Sequence, residues 1–256
     1  MFVLYPAIDL RRGRVVRLQQ GDPARETAYS SDPESVARRW LTQGAPWLHV
    51  VNLDAAFGED DAANRAAIQG ILARAHEAGA RVQLGGGIRS PQSAATWLKA
   101  GVDRVILGSL AAREPETVGA LARTWGTARV AAGLDAREGY VRIHGWQRGT
   151  SWPVPDLART LYEAGVRVFI ITDVARDGMG VGPNIELALA AREALPGPAQ
   201  IIVSGGVRTL DHVREVQRAG LDGVIVGQAL YAGSLSLKQA LTALQEGANE
   251  APSSRP

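Results

Sequence analysis

Hydrophobic and polar positions divide the chain into two alternating kinds of segment. Short, mainly apolar runs are separated by longer stretches in which apolar residues recur at helical spacing, as at 35–43, 62–78 and 210–219. The apolar runs predict eight strands, at 3–8, 47–53, 81–84, 104–107, 129–134, 166–171, 200–203 and 223–226. Strands that alternate with helices throughout a chain are typical of a parallel sheet with helices packed against it.

Residues that commonly begin and end helices support these boundaries. Asp32, Ser90 and Asp211 stand where helical stretches begin, and each is a residue type that caps helices. Several helical stretches end in Ala-Gly just before the next apolar run, as at Gly101 and Gly220. The chain is therefore predicted to consist of successive β-α units.

An internal repeat divides these units into two similar halves. Three stretches of the first half return in the second: 86–90 (GGIRS) as 205–209 (GGVRT), 100–108 as 219–227, and 8–13 (IDLRRG) as 134–139 (LDAREG). Two similar halves close a ring more naturally than they extend a sheet. We therefore predict an α/β fold, a single (β/α)8 TIM barrel of two half-barrels at about 1–125 and 126–246. A doubly wound open sheet is the alternative.

Composition narrows the class of protein. Apolar residues make up 46% and charged residues 21% of the 256 residues, as in soluble globular proteins. The absence of cysteine excludes disulfides, thiolate metal sites and a cysteine nucleophile, and is compatible with a reducing cytoplasm. The chain begins without a charged leader or cleavage site, and no apolar run is long enough to span a bilayer. We therefore expect a cytoplasmic protein with no membrane partner.

Charge and the end of the chain add two further expectations. The net charge is +2, and the arginines are scattered among acidic residues, so we expect no nucleic-acid partner. Residues 247–256 are polar and contain Pro and Ser, and are predicted to form a flexible tail after a barrel at 1–246. We also expect the chain to act as a monomer.

Glycine-rich junctions follow four of the predicted strands. In this fold the active site lies at the carboxyl ends of the strands, where missing side chains let backbone N–H groups approach an anion. One pair of junctions contains Gly86, Gly87, Gly108 and Ser109, and the other contains Ser204, Gly205, Gly206, Gly227 and Gln228. The glycines could instead serve only tight turns. The identical spacing of the two pairs favours two phosphate sites that face each other across the barrel mouth.

Two aspartates occupy equivalent positions of the repeat. Asp9 and Asp135 each follow an apolar strand, the first and the fifth, so we expect them to face each other across the mouth. A strand-end Asp is often only a helix cap or a loop anchor. Two opposed carboxylates can act as base and acid where their surroundings separate their pKa values, and the repetition favours that interpretation.

The loops after the fifth and sixth strands supply further candidates. Thr172 ends the sixth strand, and Asp177 lies on the following loop, where it could protonate a substrate oxygen or simply form a turn. Asp173 is one position out of phase with Thr172, so it should point toward the helices. Trp146, in the loop after Asp135, could stack on a heteroaromatic ring or pack within the loop.

The four histidines show no metal-ligand spacing, and we expect no metal. His76 and His212 lie on helical stretches. His49 has the opposite strand parity from Asn52. We therefore predict that His49 packs beneath the helices, while Asn52 stands with the candidate residues at the strand ends.

Taken together, these motifs resemble the phosphoribosylformimino-aminoimidazole carboxamide ribotide isomerase family. The resemblance rests on 7–10 (AIDL), 13–18 (GRVVRL), 20–22 (QGD), 53–58 (LDAAFG), 85–89 (GGGIR), 133–135 (GLD), 144–146 (HGW), 172–173 (TD), 177–178 (DG), 182–184 (GPN) and 204–206 (SGG). It spans nearly the whole chain and is specific in aggregate, although each motif alone is weak.

The resemblance implies an Amadori rearrangement without metal or organic cofactor. The ribose ring of a bisphosphorylated aminoaldose opens, and a proton leaves C2 to give the aminoketose. By position, Asp9 resembles the base that removes the C2 proton. Asp135 and Asp177, supported by Thr172, resemble the residues that assist ring opening or protonate the ring oxygen, and which of them is the principal acid stays open.

Other positions resemble the family's substrate-binding residues. Arg17, Gln20 and Trp146 resemble residues that cover the substrate, and Arg89 belongs to the motif of the first phosphate site. The chain departs from the family pattern at Asn52, where an Asp is usual, so that Asp9 would lack a neighbouring charge. Met179 and Gly180 stand where Thr and Leu are usual.

Three other functions remain alternatives. One is the related cyclase of imidazole glycerol phosphate formation, a lyase, although 144–146 and 182–184 favour the isomerase. Another is a bifunctional isomerase that also accepts phosphoribosylanthranilate. The third is a non-catalytic sugar-phosphate binder, which has no need of opposed aspartates.

Overall fold

The structure of the protein, a computed structural model, describes residues 2–249. The strands are β1 (Val3–Arg11), β2 (Arg14–Gln19), β3 (Asp22–Ser30), β4 (Trp47–Asn52), β5 (Arg81–Gly85), β6 (Arg104–Leu107), β7 (Val130–Arg137), β8 (Tyr140–Ile143), β9 (Arg148–Pro153), β10 (Val168–Asp173), β11 (Gln200–Ser204) and β12 (Gly223–Val226). The helices are α1 (Pro33–Thr42), α2 (Leu53–Phe57), α3 (Ala62–Glu77), α4 (Pro91–Lys99), α5 (Ser109–Arg113), α6 (Pro115–Trp125), α7 (Val154–Ala164), α8 (Ile185–Glu193), α9 (Leu210–Arg218), α10 (Gln228–Tyr231) and α11 (Leu237–Asn249).

Eight parallel strands close into a barrel. Their order is β1, β4, β5, β6, β7, β10, β11 and β12, and β12 pairs again with β1. This closure confirms the predicted (β/α)8 fold and excludes the open sheet. Strands four places apart in the ring lie opposite each other, so β1 faces β7, and β5 and β6 face β11 and β12.

The barrel strands are apolar on both faces because the sheet is buried on both sides. On β1, Leu4, Ile8 and Leu10 belong to the layer between sheet and helices, whereas Tyr5 and Ala7 belong to the barrel interior. The interior positions therefore alternate with period two, and at the carboxyl end of β1 the next interior position is Asp9.

Two hairpins follow equivalent barrel strands and were not predicted. The hairpin β2–β3 follows β1, and the hairpin β8–β9 follows β7. Each begins with a two-residue turn in which both residues have positive φ, Arg12 (52°) with Gly13 (71°), and Glu138 (55°) with Gly139 (82°). A turn with two positive φ values is the type that fits the twist of a hairpin. The polar sequence of β3 hid this strand from the hydrophobic pattern.

Helix caps agree with the sequence in two cases and differ in one. Asp32 accepts a hydrogen bond from Ser35 N (3.0 Å), and Ser90 accepts one from Ser93 N (3.1 Å). The predicted cap Asp211 is wrong, because it lies inside α9 and Thr209 caps that helix instead. In each of these helices the oxygen of the cap side chain accepts a hydrogen bond from an N–H group of the first turn that would otherwise be unpaired.

Two remaining features concern the rest of the chain. Most of the predicted flexible tail, 247–256, lies outside the described residues. Within residues 2–249, no helix combines the length and the apolar character that a membrane crossing requires.

Candidate active site

A cavity of about 510 Å³ opens at the carboxyl ends of the barrel strands. Every barrel strand contributes at least one lining residue. The strand contributions include Asp9, Val51, Gly85, Ile106, Asp135, Thr172, Ser204 and Ile225. This is the end at which barrels of this type carry their active sites.

The structure brings nearly all the predicted site residues to this one cavity. The predicted residues that line it are Asp9, Arg17, Gly86, Gly87, Arg89, Gly108, Ser109, Asp135, Trp146, Thr172, Asp177, Ser204, Gly205, Gly206, Gly227 and Gln228. Gln20 is the exception. Its side-chain amide donates to the carbonyl oxygen of Ala175 (3.0 Å), so it joins two loops beside the cavity and does not line it.

The glycine pairs at the ends of β5 and β11 have matching backbones. Gly86 and Gly87 have φ of 94° and 70°, and Gly205 and Gly206 have φ of 89° and 80°. These left-handed conformations strain any residue with a Cβ. A Cβ at Gly86 would also collide with the carbonyl of Asn52. Both turns therefore require glycine.

Short helices follow the neighbouring strands β6 and β12 in the same equivalent way. Gly108 precedes α5 and Gly227 precedes α10, and among the described residues neither helix has a side-chain cap. The residues at both helix starts line the cavity, and uncapped N–H groups at a helix start favour negative charge. With the glycine turns they form two cradles, one at β5 and β6 and the other at β11 and β12, on opposite sides of the mouth.

Asp9 lies next to Arg17, which the β2–β3 hairpin brings back over the strand end. Arg17 NH1 donates to Asp9 Oδ2 (2.6 Å), and NH2 lies 3.9 Å from Asp177 Oδ1. Burial raises the pKa of Asp9 to about 6, although Arg17 acts in the opposite direction, and the charge of Asp177 adds to the increase. Asp9 is therefore a carboxylate near neutral pH with an affinity for protons well above that of an exposed Asp.

Asp135 lies on the opposite strand and has different partners. Trp146 Nε1 donates to Asp135 Oδ2 (2.8 Å). Burial raises the pKa of Asp135, and hydrogen bonds from Trp146 and Thr172 oppose the increase. Within the described part of the chain, Asp135 forms no salt bridge. The indole N–H of Trp146 thus holds a carboxyl group, and the side chain lines the cavity.

The loop after β10 brings the third carboxyl group. Asp177 is largely buried, which raises its pKa, and Arg17 opposes that increase. The prediction for Asp173 is confirmed: it points away from the cavity, accepts from Asn184 Nδ2 (2.7 Å) and pairs with Arg176 (3.4 Å). Thr172 faces inward beside Asp135.

The predicted orientations of His49 and Asn52 are wrong. His49 was predicted to point toward the helices and Asn52 into the site, and the structure shows the reverse. His49 lines the cavity, whereas Asn52 is buried outside the barrel, where Asn64 Nδ2 donates to its Oδ1 (2.9 Å). The Asn52 side chain also caps α2. Because the side chain at position 52 points out of the barrel, an Asp there would not lie beside Asp9. Asn in place of Asp therefore removes no charge from the surroundings of Asp9. The error arose because each face of the run 47–52 carries two apolar residues and one polar residue, so hydrophobicity does not alternate in the sequence although burial alternates in the structure.

Two arginines of the cavity were missed by the sequence analysis. Arg208 lines the cavity, and it stands in the repeat at the position equivalent to Arg89. The repeat was therefore sufficient to find it. Arg142 also lines the cavity and donates to the carbonyl oxygen of Trp146 (3.2 Å). It belongs to the unpredicted β8–β9 hairpin.

Chemically, the cavity offers acids, bases and anion-binding groups. In residues 2–249, no group of three His, Cys, Asp or Glu side chains has the arrangement of a metal site. Two cradles on opposite sides of the mouth, with Asp9 and Asp135 on opposite strands between them, suit a long ligand with an anion at each end and reacting carbons in the middle.

Comparisons with known proteins agree with this geometry. A family described as histidine biosynthesis protein matches residues 3–236. Three curated relatives are named 1-(5-phosphoribosyl)-5-((5-phosphoribosylamino)methylideneamino) imidazole-4-carboxamide isomerase. The relative from Dinoroseobacter shibae is 44% identical, covering 95% of this chain and 100% of its own. That from Geobacillus thermodenitrificans is 42% identical (96% and 98%), and that from Deinococcus radiodurans is 44% identical (90% and 94%).

Proposed function

The chain belongs to the histidine biosynthesis protein family, and we propose that its cavity catalyses the isomerisation for which its relatives are named. It is an aldose-ketose isomerase that carries out the Amadori rearrangement of a ribosyl-aminoimidazole carboxamide in histidine biosynthesis. The aminoaldose form of the ribosyl group becomes the aminoketose form. The roles of individual residues, given below, are part of the proposal.

One arrangement supports this function above all: two equivalent cradles face each other, and Asp9 and Asp135 flank the space between them. A substrate with a phosphate at each end spans the cradles, and its central sugar carbons then lie between the two carboxyl groups. Because the phosphates supply most of the binding energy, the carboxyl groups are free to act on the reacting atoms.

Asp135 is the acid that opens the ribose ring. Arg17 contacts Asp9 at 2.6 Å and Asp177 at 3.9 Å, and this cation favours the ionised form of both. Burial and the charge of Asp177 raise the pKa of Asp135, and no cation lowers it, although hydrogen bonds from Trp146 and Thr172 oppose the increase. We assign it the acid role: it delivers a proton to the ring oxygen, the bond from C1 to that oxygen breaks, and a protonated imine is left at C1.

Asp9 is the base for the next step. It removes the C2 proton of the opened sugar, and the electron pair moves to form a C1–C2 double bond while the imine nitrogen becomes an amine. The same carboxyl group then returns the proton to C1, and the C2 hydroxyl loses its proton to solvent to give the ketone, while Asp135 regains from solvent the proton that it gave to the ring oxygen. Asp177 shares Arg17 with Asp9 and keeps that guanidinium beside the base.

The proposal includes the setting in which the enzyme works. All the named site residues come from one chain, which suits a monomer. The scattered arginines and the small net charge suit a bisphosphorylated small molecule better than a nucleic acid or a membrane. The lack of cysteine fits a cytoplasmic location.

A spectrophotometric assay of the purified protein tests the proposed function. We expect turnover of the bisphosphorylated aminoaldose in the presence of a metal chelator, with phosphoribosylanthranilate assayed in parallel. Turnover of both substrates would make the enzyme bifunctional. No turnover of either, together with tight binding of the bisphosphate, would contradict the isomerase assignment.

A further inference from the structure

A chain of polar side chains crosses the barrel interior below the cavity. His49, Gln83 and Arg104 lie side by side on β4, β5 and β6, because His49 pairs in register with Gln83 and Gln83 with Arg104. Gln83 Nε2 lies 3.0 Å from His49 Nδ1, and Arg104 NH1 lies 3.0 Å from Gln83 Oε1. Gln83 is fully buried, and Arg104 is only 4% exposed. Aliphatic side chains usually fill such interior layers.

Arg104 is held firmly in this layer. Its Nε donates to the carbonyl oxygen of Ala128 (2.8 Å), and NH2 donates to Gln200 Oε1 (3.0 Å) on the far side of the barrel. Its guanidinium also lies over the ring of Trp47, 4.6 Å from the centroid. All three guanidinium nitrogens therefore have fixed directions.

The hydrogen bonds of this chain can run in only one direction. A guanidinium has donors and no acceptor, so the Gln83 atom that faces Arg104 is the oxygen. The atom that faces His49 is then the amide nitrogen, and it donates to Nδ1. Nδ1 must be without a proton to accept this bond, so a neutral His49 carries its proton on Nε2.

His49 is neutral under ordinary conditions. Burial lowers its pKa to about 3, and the nearby charge of Arg17 contributes to the decrease. Among the described residues, Nε2 of His49 has no hydrogen-bond partner, and the side chain lines the cavity. The Nε2–H group is thus a donor available to a ligand.

The position of this donor relates it to the base. His49 pairs in register with Ala7 on β1, and Asp9 pairs with Val51, so His49 lies one interior layer below Asp9. A sugar whose C2 proton reaches Asp9 has an oxygen on that same carbon. This oxygen changes from hydroxyl to carbonyl during the reaction and benefits from a fixed donor.

We propose that Gln83 and Arg104 are positioning residues that hold His49 as an Nε2–H donor to the sugar oxygen next to Asp9. Arg104 sets the orientation of the Gln83 amide, and the amide sets the tautomer of the imidazole. The part of this proposal that concerns the sugar oxygen rests on the proposed function. The tautomer does not, and it can be measured without substrate.

Nuclear magnetic resonance of protein labelled with ¹⁵N-histidine gives the first test. Long-range ¹H–¹⁵N correlations distinguish the two neutral tautomers, and a His49→Gln spectrum identifies the signals of His49 among the four histidines. At pH 8 we expect the Nε2–H tautomer. A proton on Nδ1 in the wild-type protein would overturn the proposal, whatever the enzyme's activity.

Gln83→Glu gives the second test, with Gln200→Glu as its matched control. The new carboxylate at position 83 accepts from both neighbours, so His49 must carry its proton on Nδ1 and Nε2 becomes an acceptor. A nearby carboxylate raises a histidine pKa by about 1 to 3 units, which still leaves His49 neutral at pH 8. Gln200→Glu places the same charge beside Arg104 without touching His49.

We expect Gln83→Glu to switch the tautomer and to lower kcat/KM by about 10- to 100-fold, while the protein still melts cooperatively. Gln200→Glu should keep the wild-type tautomer and activity within about threefold. A switched tautomer with unchanged activity would overturn the role of His49, and equal losses in both variants would overturn the role of the amide. Wild-type turnover, measured first, separates these outcomes from failure of the proposed function.

Discussion

The two half-barrels build the same backbone around two different carboxyl groups. Asp9 and Asp135 follow equivalent strands, and each is followed by a hairpin that starts with the same two-residue turn. The first hairpin returns a guanidinium, Arg17, to its aspartate, whereas the second returns the neutral indole of Trp146. One framework therefore carries one carboxyl group with a cation beside it, the proposed base, and another with a neutral donor beside it, the proposed acid.

This difference separates what the repeat supplies from what the hairpins supply. The repeated parts are the glycine turns and the short helices, and they form the two similar cradles that we propose as phosphate sites. The hairpins lie outside the barrel, and their side chains Arg17 and Trp146 set the electrostatic environment of each aspartate. Symmetry thus suits binding of the two ends of the ligand, while asymmetry suits the chemistry at its centre.

The largest expected effect comes from removing the charge of each aspartate in turn. Asp9→Asn and Asp135→Asn should each lower kcat by about 10² to 10⁴, because each removes one general acid-base group. Binding of the bisphosphorylated product, measured by calorimetry, should change by less than about tenfold because the cradles remain. Asp211→Asn, on the exposed face of α9, is the control. Loss of binding together with turnover in a cooperatively folded variant would contradict the division of labour.

The cradles can be compared through their glycines. In Gly86→Ala the new Cβ collides with the carbonyl of Asn52, which should lower the free energy of unfolding by about 3 kcal/mol. For a chain of this length that loss corresponds to a Tm lower by roughly 6 to 12 °C. Gly205→Ala should cost less, since its Cβ lies 2.9 Å from the carbonyl oxygen of Asp173. Gly79→Ala has a similar positive φ with no atom within 4 Å, and should cost about 1 kcal/mol. Equal Tm values for all three variants would show that small backbone shifts remove the collisions at Gly86 and Gly205 without loss of stability.

The pH dependence of kcat/KM reports the base. Because the pKa of Asp9 is raised to about 6, the base is ionised above that pH and protonated below it. We expect kcat/KM to fall by about tenfold per unit as the pH drops below 6. Arg17→Met removes the cation that favours the carboxylate, so the midpoint should move to higher pH. A midpoint that stays in place in Arg17→Met would show that another group controls this limb of the profile.

The smallest effect is expected at the other aspartate. Trp146→Phe removes the indole donor to Asp135 and should lower kcat/KM by about 5- to 10-fold. It should also raise the pKa of Asp135, because one hydrogen bond that favours the ionised form is lost. Trp152→Phe, on β9 and packed against the core, is the matched control and should keep wild-type activity. Similar losses in the two variants would assign the effect to packing.

The barrel could be predicted from the sequence because two independent features, the apolar runs and the internal repeat, both indicate it. Apolar runs mark strands that are buried on both faces, and the repeat fixes their number and closure. The same burial explains the failure at His49 and Asn52, since a strand with two apolar faces carries no alternation from which to read side-chain direction. The neighbouring strands supply that direction, because the register of β1 against β4 places Ala7 beside His49.

Site residues at strand ends were predicted from the hydrophobic pattern, whereas on the hairpins Arg17 was predicted through the family resemblance and Arg142 was missed. Glycines and aspartates that follow apolar runs are visible in the sequence, whereas Arg142 lies on a hairpin strand of four residues that the sequence analysis did not predict. Arg208 could have been found by applying the repeat to Arg89. The contact of Gln20 with Ala175 joins loops far apart in sequence, and no local pattern encodes it.

Hydrogen exchange of the open-chain aminoketose in D₂O, followed by nuclear magnetic resonance, tests the assignment of the two aspartates most directly. The aminoketose has no ring to open, so exchange of its C1 hydrogen needs the base and not the ring-opening acid. We expect wild type and Asp135→Asn to introduce deuterium at C1, and Asp9→Asn to introduce none. Exchange by Asp9→Asn at the wild-type rate, or its loss in Asp135→Asn alone, would contradict the assignment.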